Sequence, residues 1–224
     1  IMLMAPIGVF ALITKTLTTL AVGEGGEANL GQIGTVLGAL SYYCIAVIIG
    51  LLLHTTIVYL GLLKLFTPLK ISQFFKAIAP AQLLAFSTSS SGATLPVTMR
   101  QCKEKLGASK ETTSFVLPLG ATINMDGTAL YQAVAAVFIA QAYSIPLDLG
   151  AQITIILTAV MASIGTAAVP GAGIIMLVII LEAINVPTAG IALILGVDRI
   201  LDMLRTATNV TGDAAVCAII AHSE

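Results

Sequence analysis

The residues with the most chemistry to offer lie in one run, Asp198-Arg199-Ile200-Leu201-Asp202-Met203-Leu204-Arg205-Thr206-Ala207-Thr208-Asn209-Val210-Thr211-Gly212-Asp213, set inside an otherwise apolar segment. At about 100° per residue, Asp198, Asp202, Arg205, Asn209 and Asp213 fall within a narrow arc of one helix face. A charged residue at the centre of a spanning helix costs roughly 2.5–3.5 kcal/mol, whereas each Leu or Ile returns only about 0.3–0.6. Such a face cannot look at lipid. It lines a protein interior that binds a charged, hydrated or zwitterionic ligand.

The elements that must position this face are membrane helices. Of 224 residues, 58% are hydrophobic and only 9% charged, with mean hydropathy +1.03, against about 25% charged in ordinary soluble domains. An all-α integral membrane protein is expected, with the bilayer as a partner and no nucleic acid. Cys44, Cys102 and Cys217 have neither metal nor redox spacing and read as small packing residues. The chain opens on Ile1 within an apolar segment and shows no signal-peptide pattern, which reads as the C-terminal part of a longer protein. Seven of its ten Lys and Arg (Lys64, Lys70, Lys76, Arg100, Lys103, Lys105 and Lys110) lie between 64 and 110, while the loop Gly23-Glu24-Gly25-Gly26-Glu27 carries only acids. The basic interval should border the cytoplasm and the acidic loop should lie outside.

Six segments follow from this pattern. Residues 1–22 read as a helix running outward, 23–29 as an extracellular loop and 30–66 as a long returning helix. His54, its one ionisable residue before Lys64, reads as a packing or interhelical hydrogen-bonding residue. Residues 71–107 hold two stretches too short to cross alone, flanking Ser87-Thr88-Ser89-Ser90-Ser91-Gly92-Ala93-Thr94-Leu95-Pro96, the pattern of a re-entrant hairpin. Residues 111–143 read as a spanning helix broken first at Pro118-Leu119-Gly120 and again at Asn124-Met125-Asp126-Gly127. A second hairpin, 147–186, enters from outside with its tip at 163–173, and 188–224 forms the final helix. Unpaired backbone groups in lipid cost several kcal/mol each, so both tips should be buried against the polar face.

The two halves look alike. Ala93-Thr94-Leu95-Pro96 in the first tip matches Ala167-Ala168-Val169-Pro170 in the second, and each hairpin precedes a helix with an Asn and an Asp, Asn124 with Asp126 and Asn209 with Asp213. Hairpins entering from opposite sides make this an inverted repeat, which points to a transporter site near the midplane. The five small residues Gly165, Ala167, Ala168, Gly171 and Ala172 suit the second tip to act as an extracellular gate.

The stretches SSSGATLPVT, NMDGTALY, SIGTAAVPGAG and DMLRTATNVTGD, in this order, resemble the glutamate transporter family, the dicarboxylate/amino acid:cation symporters that include the excitatory amino acid transporters. The resemblance covers essentially the whole chain. It implies an elevator transporter in the plasma (cell inner) membrane that carries L-aspartate or L-glutamate with sodium and uses no organic cofactor. It also implies that residues 1–22 are the last helix of a trimerising scaffold and 30–224 a mobile transport domain. By the same resemblance Arg205 grips the substrate's side-chain carboxylate, to which a guanidinium fork is matched, and Asp202 takes the ammonium. Asn209 and Thr206 take the α-carboxylate end, Thr128 supports the side chain, and Ser91, Val169 and Gly173 add main-chain groups. For sodium it implies Asp213 with carbonyls near Gly120, Asn124 and Asn209. A second site would use Asp126 with the Asn124 side chain, and a third the carbonyls of Thr122, Ser163, Ile164 and Thr166 near the Met125 sulfur. No spare cation is evident beside Asp126 or Asp213.

The chain departs from the family where members carry a second arginine, for those positions are Ser89 and Met203. Arg199 is the candidate for the compensating charge. Proton-coupled animal members hold a Glu where Gln132 stands, so no proton should accompany substrate. Within the family, Arg205 argues against a neutral amino acid and Asp202 against a C4-dicarboxylate. An intramembrane protease is the alternative from another class. Its Gly-x-Gly-Asp pattern fails at Val210 and its Gly-x-Ser-Gly pattern at Ser89. Gly171-Ala172-Gly173 follows no strand, so a nucleotide loop is not indicated.

Overall fold

The computed structural model describes Thr14 and residues 30–223, the side chains of 30–33 excepted. The rest of the expected first helix (1–22) and the acidic loop (23–29) lie outside the described residues. Every regular element among them is helical: α1 (Leu30–Leu53), a π-helical turn (His54–Tyr59), α2 (Leu60–Phe66), α3 (Ile71–Thr88), α4 (Ser91–Lys105), α5 (Lys110–Ile123), α6 (Asp126–Ala142), α7 (Leu149–Ile164), α8 (Ala172–Ala183), a 3-10 turn (Thr188–Gly190) and α9 (Ile191–Ser223). Two helical runs, Gly34–Phe66 and Lys110–Ala142, the second interrupted at Asn124 and Met125, are long and apolar enough to cross a membrane. At 1.5 Å per residue each spans about 50 Å, more than the roughly 30 Å hydrocarbon layer. Tyr42, Ile57 and Leu65 on the first run, and Leu149 and Met161 on α7, are exposed, the outward apolar surface that a bilayer or another membrane segment would cover.

Helix α9 is the spine, packing against α1, α3, α4, α5 and α6. It can do so because its inner face alternates polar with small residues: Ala214, Ala215 and Ala218 are buried, and a methyl at Gly212 would run into the Tyr59 ring. Two apolar clusters flank the polar stripe. One joins Val47, Tyr131, Ile139, Ile155, Leu177 and Leu201; the other joins Leu63, Phe74, Ile78, Leu117, Ala214 and Cys217. Residues 202–213 of α9 run between them.

Helices α3 and α4 pair as one hairpin and α7 and α8 as another. Their ends follow local chemistry. Helix α3 stops where Ser89 turns left-handed at φ 52°, and Ser90 caps α4 by accepting from the Ala93 N–H. Ser109 and Asp148 cap α5 and α7 in the same way. In the second tip, Gly171 stands at φ 74°, a conformation costly for any residue with a Cβ, and opens α8. The tips touch: Gly92 N–H (3.2 Å) and Ser90 Oγ (2.7 Å) both donate to the Ala168 carbonyl. The Ala168 carbonyl in the irregular second tip is thereby paired.

One expected break is absent. Helix α5 runs unbroken through Pro118 and Gly120 to Ile123, and the chain leaves helical geometry only at Asn124 and Met125. A proline forfeits one hydrogen bond, which flanking turns can absorb, and Gly120 serves a different end, giving room to the side chain of Asp213.

Candidate functional site

The polar face predicted for 198–213 is buried on α9, with Asp198, Asp202, Arg205, Asn209 and Asp213 between 2% and 8% exposed. It meets the two tips and the break between α5 and α6. There a small cavity is lined by Ser91, Thr128, Val169, Gly173, Asp202, Arg205, Thr206 and Asn209, every residue expected to touch substrate. Ser89, Met125, Thr166, Ala167 and Ala168 complete its wall. Its volume, about 20 Å³, suits one water molecule and no more.

The side chains explain the closure. Arg205 folds onto Asp202, its Nη2 2.9 Å and Nε 3.1 Å from Oδ1. The other oxygen, Oδ2, accepts the Gly171 N–H at 2.9 Å, so one carboxylate ties the final helix to the second tip. Thr206 Oγ donates to the Asp202 carbonyl at 2.7 Å. The Arg205 guanidinium lies 4.4 Å from the centre of the Tyr131 ring, a cation–π contact, and Tyr131 in turn donates to Asp198. Gly173 faces the guanidinium so closely that a Cβ there would overlap it. Arg205 Nη1 is buried without a hydrogen-bond partner. A buried charged donor left unsatisfied is costly, and this one sits at the cavity.

Toward the α5–α6 break the arrangement suits hard cations. Asp213 Oδ1 accepts Asn124 Nδ2 at 3.0 Å and would lie only 2.6 Å from a Cβ on Gly120. Asn209 staples α9 to the start of α6, accepting the Gly127 N–H at 2.9 Å and donating to Thr128 Oγ at 3.1 Å. The Asn124 amide thus donates to Asp213. Asp126 has other partners: His54 Nε2 at 3.2 Å and Tyr59 Oη at 3.0 Å. The expectation that no basic residue stands beside Asp126 is thus corrected by His54, seventy-two positions earlier, in the interhelical role read for it. For the third oxygen set, α5 touches α7. Met125 and Thr166 line one cavity, the Ser163 carbonyl accepts from Thr166 N–H, and Thr122 and Ile164 are exposed. Arg199 is exposed and lines no part of the cavity, so Arg205 is the guanidinium of this site.

Tyr131 escaped sequence reasoning, although it stands three residues after Thr128 on the same face of α6 and so could have been found. Gln132 is fully buried and donates to the Gly173 carbonyl at 2.9 Å.

Comparison with known proteins now decides the lineage. The family model for sodium:dicarboxylate symporters matches residues 1–223. The chain belongs to the sodium:dicarboxylate symporter family. Among its relatives in the family is human excitatory amino acid transporter 1, 45% identical over 99% of this chain and 39% of that protein. Human excitatory amino acid transporter 2 is 42% identical over 99% of this chain and 37% of its own length. Excitatory amino acid transporter 4 of Rattus norvegicus is 44% identical over 97% of this chain and 37% of its own. The chain therefore spans less than two fifths of the length of these curated relatives.

Proposed function

We propose that the full-length protein is a multi-pass plasma-membrane symporter that carries L-aspartate or L-glutamate together with sodium. The observation that carries this reading is Arg205: a buried guanidinium with one nitrogen unpartnered, beside a carboxylate, in a cavity walled by two helical tips. A cation and an anion side by side suit a zwitterion that has a further carboxylate. On binding, Arg205 releases Asp202 and turns to the substrate's side-chain carboxylate, while Asp202 takes the ammonium. Asn209, Thr206, Thr128 and the main chain at Ser91, Val169 and Gly173 surround the remainder. No bond is made or broken. Family membership and the names of the relatives support the same class.

Sodium travels as cargo. Asp213 with carbonyls of Gly120, Asn124 and Asn209, Asp126, and the set of Thr122, Ser163, Ile164, Thr166 and Met125 supply the oxygen-rich, hard-ligand chemistry it requires. Gly120→Ala is expected to push the Asp213 carboxylate aside and raise the sodium needed for half-maximal aspartate binding about ten- to a hundredfold, read by sodium titration of labelled-aspartate binding. Unchanged sodium dependence would remove Asp213 from the site.

The chain further fits an elevator in which residues 30–224 move as a transport domain against a trimeric scaffold whose last helix is 1–22. In it 71–107 and 147–186 are re-entrant hairpins, and the second tip is the outer gate. The latch from Gly171 N–H to Asp202 supports a tip that senses occupancy. Because Gln132 has no titratable proton, uptake is expected to leave the internal pH of vesicles unchanged. Substrate-driven acidification abolished by replacing Gln132 would contradict this.

The deciding experiment is uptake into proteoliposomes. With an inward sodium gradient, labelled aspartate and glutamate should accumulate, and serine and succinate should not. Uptake indifferent to sodium, or preference for serine or succinate, would overturn the proposal.

A further inference from the structure

Between α1 and α2 the helix widens into one π turn, His54-Thr55-Thr56-Ile57-Val58-Tyr59, with neither proline nor glycine to cause it. In a regular α-helix, residues five apart stand about 140° from one another around the axis. The i to i+5 bonding of a π turn brings them back to the same side, and such turns gather at functional sites. His54 and Tyr59 accordingly reach one atom. His54 Nε2 lies 3.2 Å and Tyr59 Oη 3.0 Å from Asp126 Oδ2, and neither makes a hydrogen bond to Oδ1. The two rings meet edge to face at 4.8 Å. Tyr59 is 3% exposed and fills the space over Gly212, where any Cβ would collide with it. Its ring therefore packs against α9 at Gly212 while its hydroxyl is directed to Asp126.

We propose that His54 and Tyr59 are positioning residues for sodium: together they clamp one oxygen of Asp126 so that the other is presented to the ion in a fixed direction. The inference rests on the reading of Asp126 as a sodium ligand. A carboxylate has two oxygens and about four lone-pair directions, so two donors on Oδ2 leave Oδ1 open while stopping rotation about the Cβ–Cγ bond. Outer partners of this kind typically alter metal affinity ten- to a hundredfold when removed. The π turn is what lets one short segment provide both donors, and a regular helix there would turn one of them away.

The test is a sodium titration of labelled-aspartate binding to the purified full-length protein and to Tyr59→Phe, His54→Leu and His54→Gln. Tyr59→Phe keeps the ring and loses only the hydroxyl, so folding is preserved, and a melting curve accompanies each variant. Tyr59→Phe and His54→Leu are expected to raise the half-saturating sodium concentration about tenfold, with aspartate affinity recovered at saturating sodium. His54→Gln, whose amide still donates, should recover most of the loss. In an Asp126→Asn background, Tyr59→Phe should add nothing, as residues acting through one partner are non-additive. A sodium midpoint unchanged or lowered in Tyr59→Phe overturns the proposal, even if melting falls, because that result marks a merely structural tie. Sodium-independent binding by the native protein is a separate failure, that of the symport reading itself.

Discussion

Arg205→Cys is expected to lower the affinity for aspartate and glutamate by roughly two to three orders of magnitude in the full-length protein, to the point of no measurable uptake. Losing one member of a desolvated, hydrogen-bonded charge pair costs about 2–5 kcal/mol, and each 1.4 kcal/mol is tenfold. Here the lost group is the guanidinium of the site, held by Asp202 on one side and the Tyr131 ring on the other, with Nη1 otherwise unpaired. The shorter side chain leaves a polar pocket between Tyr131 and Gly173, while Asp202 and Asn209 remain. Serine or alanine is therefore expected to bind the variant better than the native protein. Asp202→Asn is the control, since it should weaken every amino acid alike. Equilibrium binding of a panel of labelled amino acids checks both, and native aspartate affinity in Arg205→Cys would require abandoning acidic substrates.

The second large effect is expected for Asp213→Asn. Asp213 is buried, its Oδ1 pressed between Gly120 and the Asn124 amide. Replacing it faces one amide with another, so a sodium ion held at the proposed site would lose its anionic ligand. Coupling is reciprocal: a factor lost in sodium's effect on substrate is lost equally in substrate's effect on sodium. Aspartate affinity at a given sodium concentration should fall at least tenfold to a hundredfold. Asp126→Asn should behave similarly, and an unshifted sodium titration in both would exclude these carboxylates from ion binding.

Much of this was legible in the sequence because membrane insertion is a severe filter. Charges on a spanning helix are costly, so the stripe Asp198, Asp202, Arg205, Asn209 and Asp213 had to be buried and had to face the tips, and the structure brings all eight expected substrate residues to one cavity. The two hairpins were legible as segments, while their helix ends are set by local features the structure shows, the caps at Ser90 and Asp148 and the left-handed turn at Gly171. What composition and spacing could not give were long-range partners. Nothing near Asp126 in sequence announces His54 or Tyr59, and the π turn that aligns them contains no helix-breaking residue. Pro118 misled in the other direction, since a helix held on several sides tolerates a proline that would end an isolated one. The hydrogen bond from Asn124 to Asp213 likewise depends on how α5 and α9 approach, which Gly120 permits and no local pattern states.

For the carrier proposed above, the bridge between Arg205 and Asp202 also bears on the response to voltage. An elementary charge moved through the whole membrane field is worth about 2.3 kcal/mol per 100 mV. One guanidinium and one carboxylate in contact at 2.9 Å sum to zero, so relocating this pair with the pocket empty does no electrical work. On the symport proposed above, the potential acts instead on the carboxylates assigned to sodium, half-buried Asp126 and buried Asp213. In a carrier built this way, the electrical sensitivity of the return step resides at the cation sites, and the amino acid pocket travels as a neutral passenger.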